Sequence, residues 1–187
     1  MDEFIKIREL YKLKEVYRRA RVKERRESAA EHTWSCLVLA DYLMDKYKKL
    51  KLDQHKVYDL LLYHDLVEIE AGDIPIHLIK DQKAKRKNEF LALYKTQKKI
   101  PADMGKKFER LFKEFDEGKT KEAKFAKAVD KLDGLLQHMN HKKDWKGWDA
   151  ERIRGFHGEA LSKIPEISRL FEEFLKYLDK AGYLNVR

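Results

Sequence analysis

A chain of 187 residues is the size of one ordinary domain; 43% hydrophobic residues supply a core for it and 40% charged residues cover the surface with both signs, which excludes a disordered chain. The net charge of +9 favours anionic partners in general, and the one cysteine, Cys36, excludes an intramolecular disulfide. No apolar run approaches the roughly 20 residues of a membrane span, and "MDEFIKIREL" lacks signal-peptide architecture, so a cytoplasmic protein with no membrane partner and a single domain over 1–187 is expected.

Apolar spacing is helical nearly throughout, with Gly and Pro confined mostly to a few junctions, so the expected fold class is all-α, a helical bundle without strands. Residues 2–16 put Phe4, Ile7, Leu10 (or Tyr11) and Leu13 on one face. Residues 31–48, apolar almost all round in "TWSCLVLADYLM", are expected to form a central buried helix. Asp53 is placed to cap a third helix over 54–69, ended by Gly72 and Pro75, and a charged fourth covers 81–96. Pro101 opens a fifth to about 116, Gly118 with Thr120 marks the start of a sixth over 120–142, and Pro165 begins a last helix ending before Gly182. Basic residues cluster in "RRARVKERR" (18–26) and "KDQKAKRK" (80–87) without the interleaved aromatics that stack exposed bases. Both read as solvated faces, and nucleic acid is not the expected partner.

"LLLYHDLVEIEAGD" (60–73) drives an apolar segment into His64 and Asp65, with Glu68, Glu70 and Asp73 close behind. Burying such groups is costly unless each finds a partner. His64 shares a helical face with Val57, Leu60 and Leu61, so its imidazole is expected in the core, while Asp65 points about 100° away and the pair brackets a point beside the helix. A lone core histidine is usually structural, so the pair needs help from other helices. His32 shares a face with Cys36, Leu39 and Leu43, and Asp130 follows Ala126, whose small side chain leaves room one turn earlier; Asp133 reads as solvent-facing. Two imidazoles and two carboxylates form a mixed nitrogen and oxygen site for a divalent transition metal (Co2+, Mn2+, Ni2+, Fe2+ or Zn2+), its identity open, while the single cysteine argues against a structural zinc site built on thiolates. Such an ion lowers the pKa of water and polarises a phosphoryl oxygen, and Glu68, one turn after His64, stands within reach as a proton-transfer group.

The motifs "ESAAEH" ending at His32, "HDLVEIEAGDIP" from His64 to Pro75 and "EAKFAKAVDKLD" from Glu122 to Asp133 resemble the HD-domain metal-dependent phosphohydrolases, in particular the branch of 5'-deoxynucleotidases. The resemblance runs from about Leu13 to "KIPEISRL" at 163–170. It implies an HD-type helical bundle, a homodimer, and release of phosphate from nucleoside 5'-monophosphates. Position by position, His32, His64, Asp65 and Asp130 match the family's metal ligands, and Glu68 and Asp73 match its acidic residues around the nucleophilic water and the substrate. Arg18 in "LKEVYRRAR" falls where the family sets an arginine against the substrate phosphate, with Arg19 or Arg21 taking that role after a shift of the loop. Deoxynucleotidases follow that arginine with a tryptophan that helps exclude ribonucleotides; Arg19 stands here instead and leaves sugar preference open. "HDLVEIE" also lacks the Glu-Asp pair of guanosine tetraphosphate hydrolases. Alternative functions are a nucleotide-sensing or nucleic-acid-binding module without hydrolysis, and a phosphohydrolase of other phosphoesters. His138 and His141 read as exposed residues near a helix end, Trp145 and Trp148 as packing for a loop or subunit interface, and His77 equally as loop residue or substrate contact.

Overall fold

The computed structural model describes residues 2–184. Side chains at chain reversals start most of its helices. Ser28 accepts from the Glu31 N–H at 3.3 Å while the Glu31 carboxylate accepts the Ser28 N–H at 2.9 Å, a reciprocal pair that begins α2 (Ala29–Lys46). Here α1 is the short helix Asp2–Ile7, continued by a 3-10 segment over Arg8–Glu15, where one helix over 2–16 was expected. Asp53 accepts from Lys56 N–H at 3.0 Å and starts α3 (Gln54–Tyr63), as its position before the apolar spacing implies. A single turn, α4 (Glu68–Ala71), precedes α5 (Gln82–Gln97), capped by Asp81, and α6 (Ala102–Glu117) ends at Gly118 with φ of 58°, a left-handed conformation suited to glycine. Thr120 caps α7 (Lys121–His138), Asp149 caps α8 (Ala150–Leu161), and Pro165 occupies the first turn of α9 (Pro165–Lys180).

The helices form one contiguous core running from Leu13 to Leu184. Helices α2, α3 and α7 pack on one another, α6 lies against α3 and α7, α5 against α4 and α6, and α8 and α9 follow in turn from α7. The helix enclosed all round is α7, not α2: Phe125, Ala126, Ala128, Val129, Asp130, Leu132 and Asp133 are all buried. By contrast α2 buries only one face and leaves Trp34, Val38 and Tyr42 at 67%, 53% and 58% exposure, a stripe at four-residue spacing. Ala126, one turn before Asp130, is buried in the core.

A hairpin departs from the all-helical expectation. Strands β1 (Tyr17–Val22) and β2 (Arg25–Ser28) pair antiparallel, with Arg21 opposite Arg26 and Val22 opposite Arg25 across a turn at Lys23 and Glu24. Its sequence is "RRARVKERR", whose arginines hide the period of two. Strand formation here comes from tertiary support, the Ala29 N–H donating to Val16 O at 2.8 Å and β1 packing on α7, rather than from composition. The helix α8 also went unrecognised, because Gly155 and Gly158 interrupt its pattern.

Candidate metal centre

Three elements deliver the candidate ligands: α2 brings His32, the end of α3 brings His64 and Asp65, and α7 brings Asp130. All four are buried. His32 Nε2 lies 3.2 Å from Asp130 Oδ1 and 3.8 Å from Asp65 Oδ2, while His64 Nε2 lies 3.1 Å from Asp65 Oδ1 and 4.0 Å from Asp130 Oδ1. Two imidazole nitrogens and two carboxylates thus face one point.

The orientation of each imidazole has a local cause. His64 Nδ1–H donates to Leu61 O at 2.7 Å, which turns Nε2 toward the carboxylates. Although Asp65 is near, it is not aligned for a hydrogen bond, and His64 Nε2 is a buried nitrogen with no hydrogen-bond partner. A lone pair left so in a native core calls for an unseen partner, and a divalent cation between two imidazoles and two carboxylates satisfies it. The residues therefore fit the metal that the sequence implies. On its other ring nitrogen, His32 Nδ1–H donates to Asp133 Oδ2 at 2.8 Å. Asp133 is accordingly buried and paired, where periodicity placed it in solvent.

Glu68 does not lie on the regular helix expected over 54–69. After Tyr63 the chain tightens to three-residue hydrogen bonds, with Leu66 N–H donating to Tyr63 O at 3.4 Å and Glu68 N–H to Asp65 O at 2.9 Å. At three residues per turn, positions i and i+3 eclipse, so Glu68 aligns with Asp65 rather than with His64. Burial, with Asp65 and Asp73 beside it, holds the Glu68 carboxyl well above the ordinary carboxylate range against the pull of Arg18. Burial likewise raises Asp73, again opposed by Arg18. Asp130 goes the other way: burial opposes its ionisation, but Lys131 Nζ at 2.9 Å and His32 hold its carboxyl well below the usual value.

Strand alternation selects among the arginines. Arg18, Ala20 and Val22 turn inward on β1 while Arg19 and Arg21 are exposed. Arg18 Nη1 lies 3.4 Å from Asp65 Oδ2 and 3.8 Å from Asp73 Oδ1, and its Nε lies 3.5 Å from Glu27 Oε2. Arg19 instead contacts His77, whose ring meets Trp148 edge-on at 6.0 Å.

Cys36 Sγ lies 3.5 Å from His32 Nε2, so a set of His32, Cys36 and His64 is also compact. Burial pushes the thiol pKa up to about 12, so the thiol is protonated at neutral pH when no metal is bound. His138 is partly buried against Trp145 rather than exposed, and His141 Nε2 bonds Lys23 O at 2.8 Å. Trp145 is buried and donates to His138 O at 3.0 Å, so it packs the loop after α7. Sequence reasoning missed Glu27 and Lys131 as neighbours of the cluster, although each lies within a motif that was singled out.

Among the described residues no helix is long and apolar enough to cross a membrane. The HD domain family model matches residues 10–170. The chain is 28% identical over 158 residues to the human 5'-deoxynucleotidase HDDC2, covering 80% of this chain and 72% of that protein, and 28% identical over 167 residues to the Xenopus laevis protein of the same name, covering 88% and 80%. A crystal structure from Magnetospirillum magnetotacticum MS-1, titled as a predicted metal-dependent phosphohydrolase, superposes with a TM-score of 0.83 at 26% identity over 98% of this chain and 94% of that one. PH0347 protein from Pyrococcus horikoshii OT3 superposes at 0.65 with 25% identity over 94% and 97%. With three buried motifs converging on one point and the family model spanning most of its length, this chain belongs to the HD domain family.

Proposed function

We propose that this protein is a metal-dependent nucleotide phosphohydrolase that releases phosphate from ribo- or deoxyribonucleoside 5'-monophosphates, with His32, His64, Asp65 and Asp130 as the metal ligands. The observation that carries the reading is the convergence of these four side chains with His64 Nε2 buried and unpartnered among them. The names of the curated relatives, all 5'-deoxynucleotidases, supply the substrate class.

A divalent metal held there supplies Lewis-acid polarisation of the phosphoryl oxygen and acidifies water. The protein supplies the rest. Arg18, already beside Asp65 and Asp73, neutralises and orients the remaining phosphate oxygens through its guanidinium fork. Glu68, whose carboxyl is held well above the ordinary range by burial, stands beside Asp65 as a proton-transfer group for the attacking water. Asp73, across Arg18 from Asp65, shares the proton transfers with Glu68, one of the two giving a proton to the departing 5'-oxygen. We further propose a homodimer that covers the Trp34, Val38 and Tyr42 stripe of α2.

The test is phosphate release from a panel of ribo- and deoxyribonucleoside 5'-monophosphates by metal-stripped protein resupplied with Co2+, Mn2+, Mg2+ or Zn2+. Metal-dependent release that Asp65→Ala lacks supports the reading, and the deoxy to ribo ratio reports what Arg19 does in place of tryptophan. No release with any of these metals overturns it.

A further inference from the structure

Two buried carboxylates beside His32 and Arg18 have no place in the ligand set: Asp133 is 5% exposed and Glu27 1%. With His32 they make a compact group, one ligand-capable atom of each lying within 4.8 Å of the others. A second cation site is nonetheless the wrong reading of that group. His32 Nδ1–H already donates to Asp133 at 2.8 Å, and the Arg18 guanidinium stands 3.5 Å from Glu27 Oε2, where its charge repels another cation.

What the two acids share is the side of the machinery they touch. Asp133 meets the ring nitrogen of His32 that faces away from Asp65 and Asp130. Glu27 meets Nε of Arg18, whereas the contacts to Asp65 and Asp73 come from Nη1. Arg18 Nε and Glu27 Oε2 are both buried and neither makes a hydrogen bond, so each has the other's charge as compensation. Both acids are also rigidly mounted. Asp133 lies on the enclosed helix α7, and Glu27 immediately precedes Ser28, the residue that caps α2.

We infer that Asp133 and Glu27 are positioning residues with separate duties: Asp133 holds His32 so that Nε2 faces the metal, and Glu27 holds Arg18 so that its terminal nitrogens face the substrate phosphate. The inference rests on the phosphohydrolase reading given above. With Nδ1–H committed to Asp133, the His32 tautomer and ring orientation are both fixed and the lone pair falls on Nε2. With Nε anchored to Glu27, the Nη groups are free to exchange their long carboxylate contacts for phosphate oxygens without the side chain swinging away.

The experiment uses the whole chain, metal-stripped, in wild-type form and as the isosteric Asp133→Asn and Glu27→Gln variants. Two quantities are read: Co2+ affinity by calorimetry, and the inhibition constant of inorganic phosphate at saturating Co2+. Asp133→Asn is expected to weaken Co2+ binding about 10- to 100-fold, with excess Co2+ restoring the phosphate constant, which a general loss of structure would not allow. Glu27→Gln is expected to leave Co2+ affinity at the wild-type value and raise the phosphate constant about 10-fold. Should Asp133→Asn be recovered unfolded, Asp133→Glu, which keeps the charge and displaces it by one methylene, gives the same reading of Co2+ affinity. Unchanged Co2+ affinity in the Asp133 variants overturns the first duty, and an unchanged phosphate constant in Glu27→Gln overturns the second; loss of both quantities in both variants overturns their separation. A wild-type protein that binds no Co2+ overturns the metal site itself, a different failure from wild-type binding with unaltered variants.

Discussion

Metal binding should raise the melting temperature of this protein, and replacing His64 by Gln should remove the effect. The magnitude follows from the unpartnered His64 Nε2, since a buried polar atom left without a hydrogen bond costs about 1–3 kcal/mol that a ligated ion recovers. At a free metal concentration about 100 times Kd, linkage gives about 2.7 kcal/mol of stabilisation. For a chain of 187 residues, each kcal/mol moves Tm by about 2–4 °C, so the shift is about 5–11 °C. Circular dichroism melts of stripped protein across a Co2+ or Mn2+ titration measure it, with His64→Gln run in parallel. That variant keeps comparable bulk beside the Phe115 ring, now 5.2 Å from the imidazole, and loses the ligand nitrogen. An equal metal shift in His64→Gln would falsify the placement of His64 in the metal centre, and a wild-type Tm unmoved by either metal would refute the site.

Other expectations follow from the same geometry. Arg18→Ala should lower kcat/KM for a nucleoside monophosphate about 10- to 150-fold, the value of a charge-assisted hydrogen bond of about 1.5–3 kcal/mol, whereas Arg19→Ala, exposed and turned outward, should not reproduce that loss. Glu68→Gln should keep the metal-induced Tm shift and lose about 100- to 10,000-fold in kcat; full activity in this variant would remove Glu68 from proton transfer. In urea unfolding of the metal-free protein, the stability lost by Glu27→Gln, Glu68→Gln or Asp73→Asn relative to wild type should shrink as pH rises above the ordinary carboxylate range. Burial raises the folded pKa of Glu27, Glu68 and Asp73, so the native state binds more protons than the unfolded chain as pH climbs. His32 acts in the same direction: burial lowers its pKa, but the hydrogen bonds to the Asp130 and Asp133 carboxylates raise it, and its contribution is lost as pH rises through the folded value. A wild-type advantage over these variants that grows with pH would contradict those environments.

The helical architecture and the three segments that carry the candidate ligands are legible in the sequence because they rest on local signals. Asp53 before an apolar run, Gly118 before Thr120, and Pro165 at a helix start each act within a few residues. The unread parts depend on distant partners. Asp133 lies only one turn from Asp130, and periodicity gave one an inward and the other an outward role; because α7 is enclosed all round, with His32 of α2 beside it, both are buried. The tightened turn after Tyr63 is equally invisible to a regular 3.6-residue projection, which paired Glu68 with His64 instead of Asp65. The hairpin escaped because three of the six residues of β1 are arginines, and its strand character is imposed by α7 and by the Val16 carbonyl.

The alternation of β1 also decides what keeps the strand in place. A slip by one residue exchanges the two faces of a strand. Here such a slip would turn Arg18 out and Arg19 and Arg21 in, so a guanidinium would reach the acidic cluster in either setting. Charge therefore cannot choose between the two. The choice falls to Ala20, whose small side chain is the buried one on a strand that packs on α7, and to the Arg19 contact with His77. The smallest side chain of the strand, together with one outward cation, sets which arginine faces the acidic cluster.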